Sequence, residues 1–331
     1  MEGNPKAPPV AASGQTRLAR LDGLRAIAAC GVAFTYHVRL LFSEGALESG
    51  HAALDWFHLS GWLFVDMFFV LSGYIFAHVY LARGSLERPG ALADFAVARV
   101  ARLYPLNLVM LQAFVHPVAQ TFVGPSWSLS VEAVCYVLFA FGAVAGPSRL
   151  KPVTLFAIAF ALVSILWFAA PEGPYARDNI PRGLLGFFLG QVLWHRREWL
   201  ARVPGWTFAL VMLAGVLIPA GWFGAILPFA VLVFPAALCL GLRLSWLESR
   251  PLLWLGDRSY AIYLIHVPLI EFYIRQRGQL DGDLQGLLLG HGVLIAVTLV
   301  LADLAYRGIE KPARGAIRRL WARHGALPVP A

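Results

Sequence analysis

Charge is scarce in this chain. Only 14% of its 331 residues are Asp, Glu, Lys or Arg, where a soluble globular domain has roughly 25%. That shortage excludes a disordered regulator and a DNA-binding module. Together with 59% hydrophobic residues it excludes an ordinary soluble fold as well. Cysteine is equally scarce. Cys30, Cys135 and Cys239 each lie in an apolar run, none forms a C-x-x-C pair, and no His/Cys cluster has zinc spacing. Neither a disulfide-stapled secreted domain nor a metal site is expected, and the three thiols read as small apolar packing residues. The sequence also lacks a Walker-type phosphate loop and an internal repeat of the kind many transporters carry. Its first twenty residues contain no apolar stretch, so a cleaved secretory signal is not expected there; they read as a polar, disordered cytoplasmic tail.

What the chain does have is long apolar runs. A bilayer-spanning helix needs about 20 mostly apolar residues, and ten segments meet that length approximately: 21–42, 56–82, 93–115, 127–146, 151–170, 182–197, 203–220, 223–241, 252–274 and 286–306. The fold class is therefore an all-α membrane protein of about ten transmembrane helices, with both termini on the same side. If that side is the cytoplasm, 22 of the 27 Lys and Arg fall on the inner side and five, Arg39, Arg177, Arg182, Arg275 and Arg277, on the outer. This asymmetry is the one that sets membrane orientation, and it accounts for the formal charge of +8 without invoking nucleic acid. The loops are too short for a soluble domain. The organisation expected is a tail over 1–20, a membrane domain over 21–310, and a basic C-terminal tail over 311–331 whose KPARGAIRRLWARHG stretch reads as a helix on the inner leaflet.

Ionisable residues inside apolar runs are costly and commonly functional. At about 1.5 Å per helical residue, Arg25 lies near the inner end of the first segment and His37 roughly 24 Å from that end. His37 alone reads first as a buried histidine bonded to a neighbouring helix. Asp66, mid-way along the second segment, must pair or protonate, and an arginine of another helix is the simplest partner. Arg99 and Arg102 share a helix face at i,i+3, suited to a phosphate-bearing ligand or to snorkelling toward lipid phosphates. Glu132, after Trp127 and Ser128, falls roughly 8 Å below the outer edge, and His37 roughly 6 Å below it. Equal depth suggests a carboxylate that orients an imidazole as general base. His266 also falls in the outer half, lining the same cavity or making a helix contact near Pro268.

Six blocks, in order over residues 20 to 314, then become recognisable. RLDGLRAIAACGVAFTYH resembles the opening helix of the acyltransferase-3 family of integral membrane acyltransferases. FVDMFFVLSGY, ARVARLYP, WSLSVEAVCY, SYAIYLIHVP and IEKPAR resemble that family's later signatures. The resemblance implies ten helices and transfer of an acyl group, usually acetyl, from cytoplasmic acetyl-CoA or another acyl-CoA. The acceptor it implies is a hydroxyl of a sugar or glycan outside a bacterial inner membrane. It matches His37 to the essential histidine, with Glu132 beside it as the second catalytic group. Arg25, Arg99 and Arg102 match the donor-handling arginines, and Asp66, Trp127, Ser128, Tyr263 and His266 fall at supporting or lining positions. Twelve positions separate Arg25 from His37 where the family pattern implies eleven. One extra residue turns a side chain by about 100° on an ideal helix, and a π-bulge would absorb it. The 331 residues hold no counterpart of the extracytoplasmic esterase-like domain of some longer members.

The partners implied are acyl-CoA, a carbohydrate acceptor and membrane lipid, with no nucleic acid; homo-oligomerisation is left open. A small molecule such as a macrolide is the alternative acceptor. A glycan or lipid transporter and a non-enzymatic assembly subunit are the alternative functions.

Overall fold

Apolar runs of this length satisfy their backbone polar groups inside a bilayer only as helices or closed barrels, and here they are helices. The structure, a computed structural model, describes residues 18–43, 52–81, 90–103, 127–168, 176–218 and 225–323, with the single positions 47 and 86. In chain order the helices are α1 (Ala19–Leu41), α2 (52–81), α3 (Ala91–Leu103), α4 (Trp127–Val144), α5 (Pro147–Phe168) and α6 (Ala176–His195). They continue as α7 (Arg197–Arg202), α8 (Gly205–Leu217), α9 (Ile226–Gly241), α10 (Arg250–Arg277), α11 (Leu284–Ala305) and α12 (Lys311–Arg323). The described residues contain no strand, only an isolated bridge between Phe42 and Leu280. Most of the tail expected over 1–20, and the third segment beyond Leu103, lie outside the described residues.

Five helical stretches are long and apolar enough to cross a membrane by length and composition: Ala19–Leu41, Asp55–Leu81, Trp127–Val144, Ser148–Trp167 and Gln285–Arg323. α8 and α9 are apolar but shorter. α6 and α10 run 20 and 28 residues but carry charged side chains. The outer surface fits a lipid environment. Leu155, Phe156, Val163 and Trp167 on α5, and Val137 and Phe141 on α4, are largely exposed, a density of apolar surface that soluble monomers avoid. Polarity is instead turned inward.

The centre of the bundle is the α2–α6 pair, with α4 packed beside it and α1 paired with α10. Small residues let the backbones meet, the usual means of helix association in membranes. A methyl group at Gly190 of α6 would collide with the Val70 carbonyl, and one at Gly73 of α2 with the Phe187 carbonyl. Gly190→Ala is therefore expected to force α2 and α6 apart and to cost about 1–3 kcal/mol, the range for overpacking, seen as a lowered thermal midpoint in detergent. Phe76, Phe95, Tyr136, Phe139 and Phe187 form an interlocked aromatic cluster at one end of this pair.

Candidate active site

The twelve-residue spacing on α1 is resolved by its backbone. The helix is α-helical to Cys30, π-helical over Gly31–Tyr36, and tightens to a 3-10 turn from His37 to Leu41. A π-turn takes up one additional residue, so the phase gained between Arg25 and His37 is absorbed where the sequence allowed for it.

His37 then meets His266. Nδ1 of His37 lies 2.9 Å from Nε2 of His266. Nδ1 of His266 lies 3.0 Å from the carbonyl of Ile262, one turn back on α10. A carbonyl only accepts, so the neutral His266 carries its proton on Nδ1, and its Nε2 is the lone-pair nitrogen. It accepts from Nδ1–H of His37, which leaves Nε2 of His37 unprotonated. Such an imidazole is oriented, in one tautomer, and able to take a proton. Tyr36 packs edge-on against His37 at 4.8 Å between ring centroids, and its hydroxyl accepts from Arg39 at 3.0 Å.

From this pair a row of polar groups descends along α10. Ser259, Tyr263 and His266 lie at i, i+4 and i+7, on one helix face, over roughly 10 Å. The Tyr263 ring lies 6.0 Å from His266, and its hydroxyl accepts from Ser128 at 3.0 Å. Lower still, Arg25 donates to Asp22 at 3.0 Å and to Ser259 at 3.3 Å. Arg25, Arg102, Ser72, Ser128, Glu132 and Tyr263 line one narrow cavity. α1 and α10 run the same way, since Arg25 meets Ser259 and His37 meets His266.

The pairing of His37 with Glu132 that equal depth suggested does not form. Glu132 accepts a short hydrogen bond from Ser72 of α2 and one from Tyr136, at the Arg25 end of the cavity. Equal depth does not by itself bring two side chains together: the first turn of α4 is packed inside the bundle, with Ser128, Leu129, Ser130 and Val131 all buried, and Glu132 is taken by α2. The carbonyl-anchored His266 holds His37 instead.

Arg99 and Arg102 share a helix but not a site. Arg102 faces the cavity with Arg25 and Glu132. Arg99 sits in an aromatic cage, 4.7 Å from the centroid of Phe76, 5.7 Å from Tyr80 and 5.8 Å from Tyr136, and donates to the Tyr80 hydroxyl at 3.1 Å. At i,i+3 the two side chains are about 60° apart around the axis, enough for neighbouring helices to separate them.

Asp66 has the arginine partner anticipated for it. Arg182 donates to both its oxygens, at 3.0 and 3.3 Å, and both side chains are fully buried. Trp62 and Trp127 flank the guanidinium, 4.6 and 5.4 Å from their ring centroids. Trp127 thus braces this ion pair. The assignment of Arg182 to an outer loop is overturned: it is a core residue in the second turn of α6. Charge counting treats any arginine near a span's end as loop, and only the unpaired aspartate on α2 signalled otherwise. Ser72, six residues after Asp66 and about 120° round the α2 axis from it, is a site residue that the sequence pattern does not reveal.

These features are those of a membrane-embedded group-transfer site: an oriented imidazole, a hydroxyl-lined cavity, and arginines at the far end. An acyltransferase domain family model matches residues 18–307, and the chain belongs to this acyltransferase-3 family. It is 27% identical to the YrhL protein of Bacillus subtilis over 89% of this chain and 54% of that one. It is 25% identical to the peptidoglycan O-acetyltransferase OatA of Listeria monocytogenes, over 89% and 55% respectively. The O-acetyltransferase OatA of Staphylococcus aureus is 23% identical over 89% and 57%. The chain thus spans about half the length of the curated relatives it matches. No solved structure matches it.

Proposed function

We propose that this chain is a membrane O-acetyltransferase of a bacterial inner membrane. In this reading it carries an acetyl group from acetyl-CoA in the cytoplasm to a hydroxyl of an extracytoplasmic glycan, through ten spans with both termini inside. The observation that carries the reading is the polar row from Arg25 and Arg102 to the His37–His266 pair. The relatives named O-acetyltransferases support the acetyl group, and one named for peptidoglycan supports a glycan acceptor.

Acetyl-CoA enters with its phosphates toward the arginine end and its thioester toward His37. The acceptor hydroxyl approaches from the other end. Nε2 of His37 takes the hydroxyl proton as the oxygen attacks the thioester carbonyl. The new C–O ester bond forms, the C–S bond breaks, and the departing CoA thiolate takes the proton back from His37. His266 stabilises the imidazolium as acceptor of its Nδ1–H. Tyr263, whose hydroxyl accepts from Ser128, offers its own O–H to the developing oxyanion. Glu132, held by Ser72 and Tyr136, balances the charge of Arg25 and Arg102 when no donor is bound.

The test is isothermal titration of the purified protein with acetyl-CoA, wild type against Arg102→Ala. Loss of one charge-assisted hydrogen bond is worth about 1.5–3 kcal/mol, so the variant is expected to bind about 10- to 100-fold more weakly. A well-folded wild type that does not bind acetyl-CoA would overturn the donor assignment.

A further inference from the structure

A basic helix lying on a membrane turns its cations outward to lipid headgroups. α12 turns two of them inward. It packs on α3, tied by the Trp321 indole N–H donating to Asp94 at 2.8 Å. Glu310, Arg314, Arg318 and Trp321 follow one another at intervals of four, four and three and so share the face turned to the bundle. Lys311, Arg319 and Arg323 are exposed on the other side. Glu310 is buried and accepts from Arg314.

The inward arginines are under-used. Among the described residues, Nε of Arg314, of Arg318 and of Arg99 is each shielded from solvent without a hydrogen-bond partner, three donors against the one unpartnered oxygen, Oε2 of Glu310. A buried donor left unmade is costly, and three from neighbouring guanidiniums call for a shared acceptor. Glu310 offsets one of the three charges and also interacts with Arg102 and Arg25. Arg102 and Arg25 in turn line the cavity.

We propose that Arg314 and Arg318 of α12, with Arg99 of α3, form an anion subsite that receives phosphate groups of the acyl donor. The proposal rests on the acyl-CoA reading above. It makes α12 part of the donor site, where a surface helix would only anchor the chain. An anionic lipid headgroup offers the same chemistry, and the experiment separates the two.

Wild type, Arg318→Gln and Arg318→Lys are placed in nanodiscs of phosphatidylcholine alone. Affinities are measured for acetyl-CoA and for S-acetylpantetheine, the same thioester without phosphates. The affinity ratio between the two donors is expected to fall about tenfold in Arg318→Gln and much less in Arg318→Lys, which keeps the charge. A ratio unchanged in Arg318→Gln, with acetyl-CoA still bound by the wild type, would overturn the subsite and leave the donor reading standing. Failure of the wild type to bind acetyl-CoA would overturn the donor reading and with it this occupant. Native mass spectrometry of protein in mixed phosphatidylcholine–phosphatidylglycerol discs supplies the other arm. Loss of retained phosphatidylglycerol in Arg318→Gln, with the donor ratio unmoved, would reassign the arginines to lipid.

Discussion

Replacing His37 with alanine is expected to lower kcat for acetyl transfer by about 10²- to 10⁴-fold, the range for removal of a positioned general base. KM for acetyl-CoA should change little, because in the proposed mechanism the donor's phosphates bind at the arginine end and His37 acts on the acceptor's proton. His266→Asn is expected to fall between this variant and wild type. An asparagine retains a hydrogen-bonding group but does not reproduce an imidazole lone pair fixed by a carbonyl one turn away. The gap between the two variants measures what the histidine pair contributes beyond a single base. Equal loss in both would mean that the tautomer set by His266 is indispensable to His37. Initial rates of CoA thiol release with a soluble glycan acceptor give these values directly.

The second large effect is on stability. Arg182→Ala leaves Asp66 as a buried carboxylate without its bidentate partner, in a bundle core where neither side chain is exposed. Breaking a buried pair by removing one member costs about 3–5 kcal/mol, and the protein is expected to express poorly or melt early in detergent. Removing both charges is a different matter. Asp66→Asn with Arg182→Met leaves no buried ion, and replacing a buried pair by neutral groups of similar volume is often close to neutral. The double variant is therefore expected to recover most of the thermal midpoint lost in Arg182→Ala. It should also retain acetyl transfer, because the pair fixes α2 against α6 and does not line the cavity. If the double variant folds and is inactive, Asp66 and Arg182 do more than hold the helices.

The legible parts of this protein were those fixed by local chemistry. Apolar runs imposed helix. The lone Asp66 demanded a cation, and one was there. The twelve-residue spacing on α1 called for a π-turn, and Gly31–Tyr36 supplies it. What the sequence hid depends on how helices are set against one another. Nothing in WSLSVEAVCY shows which helix Glu132 faces, and its partner is Ser72 of α2 and not His37. Arg99 and Arg102 were paired by periodicity, but the side chains of Phe76, Tyr80 and Tyr136 draw one of them into an aromatic cage. The inward face of α12 was invisible because basic composition reads the same whichever way the cations point. Only its docking on α3 decides that.

The site is most directly tested by following the acetyl group through the bundle. Proteoliposomes of known orientation would hold the glycan acceptor inside, with radiolabelled acetyl-CoA added at the face that exposes α12. The expected result is label in the internal glycan with wild type and its loss with His37→Ala, although both proteins bind acetyl-CoA equally well. Label appearing in the glycan at the wild-type rate with His37→Ala would contradict the assignment of His37, and with it the transfer route from the arginines to the histidine pair.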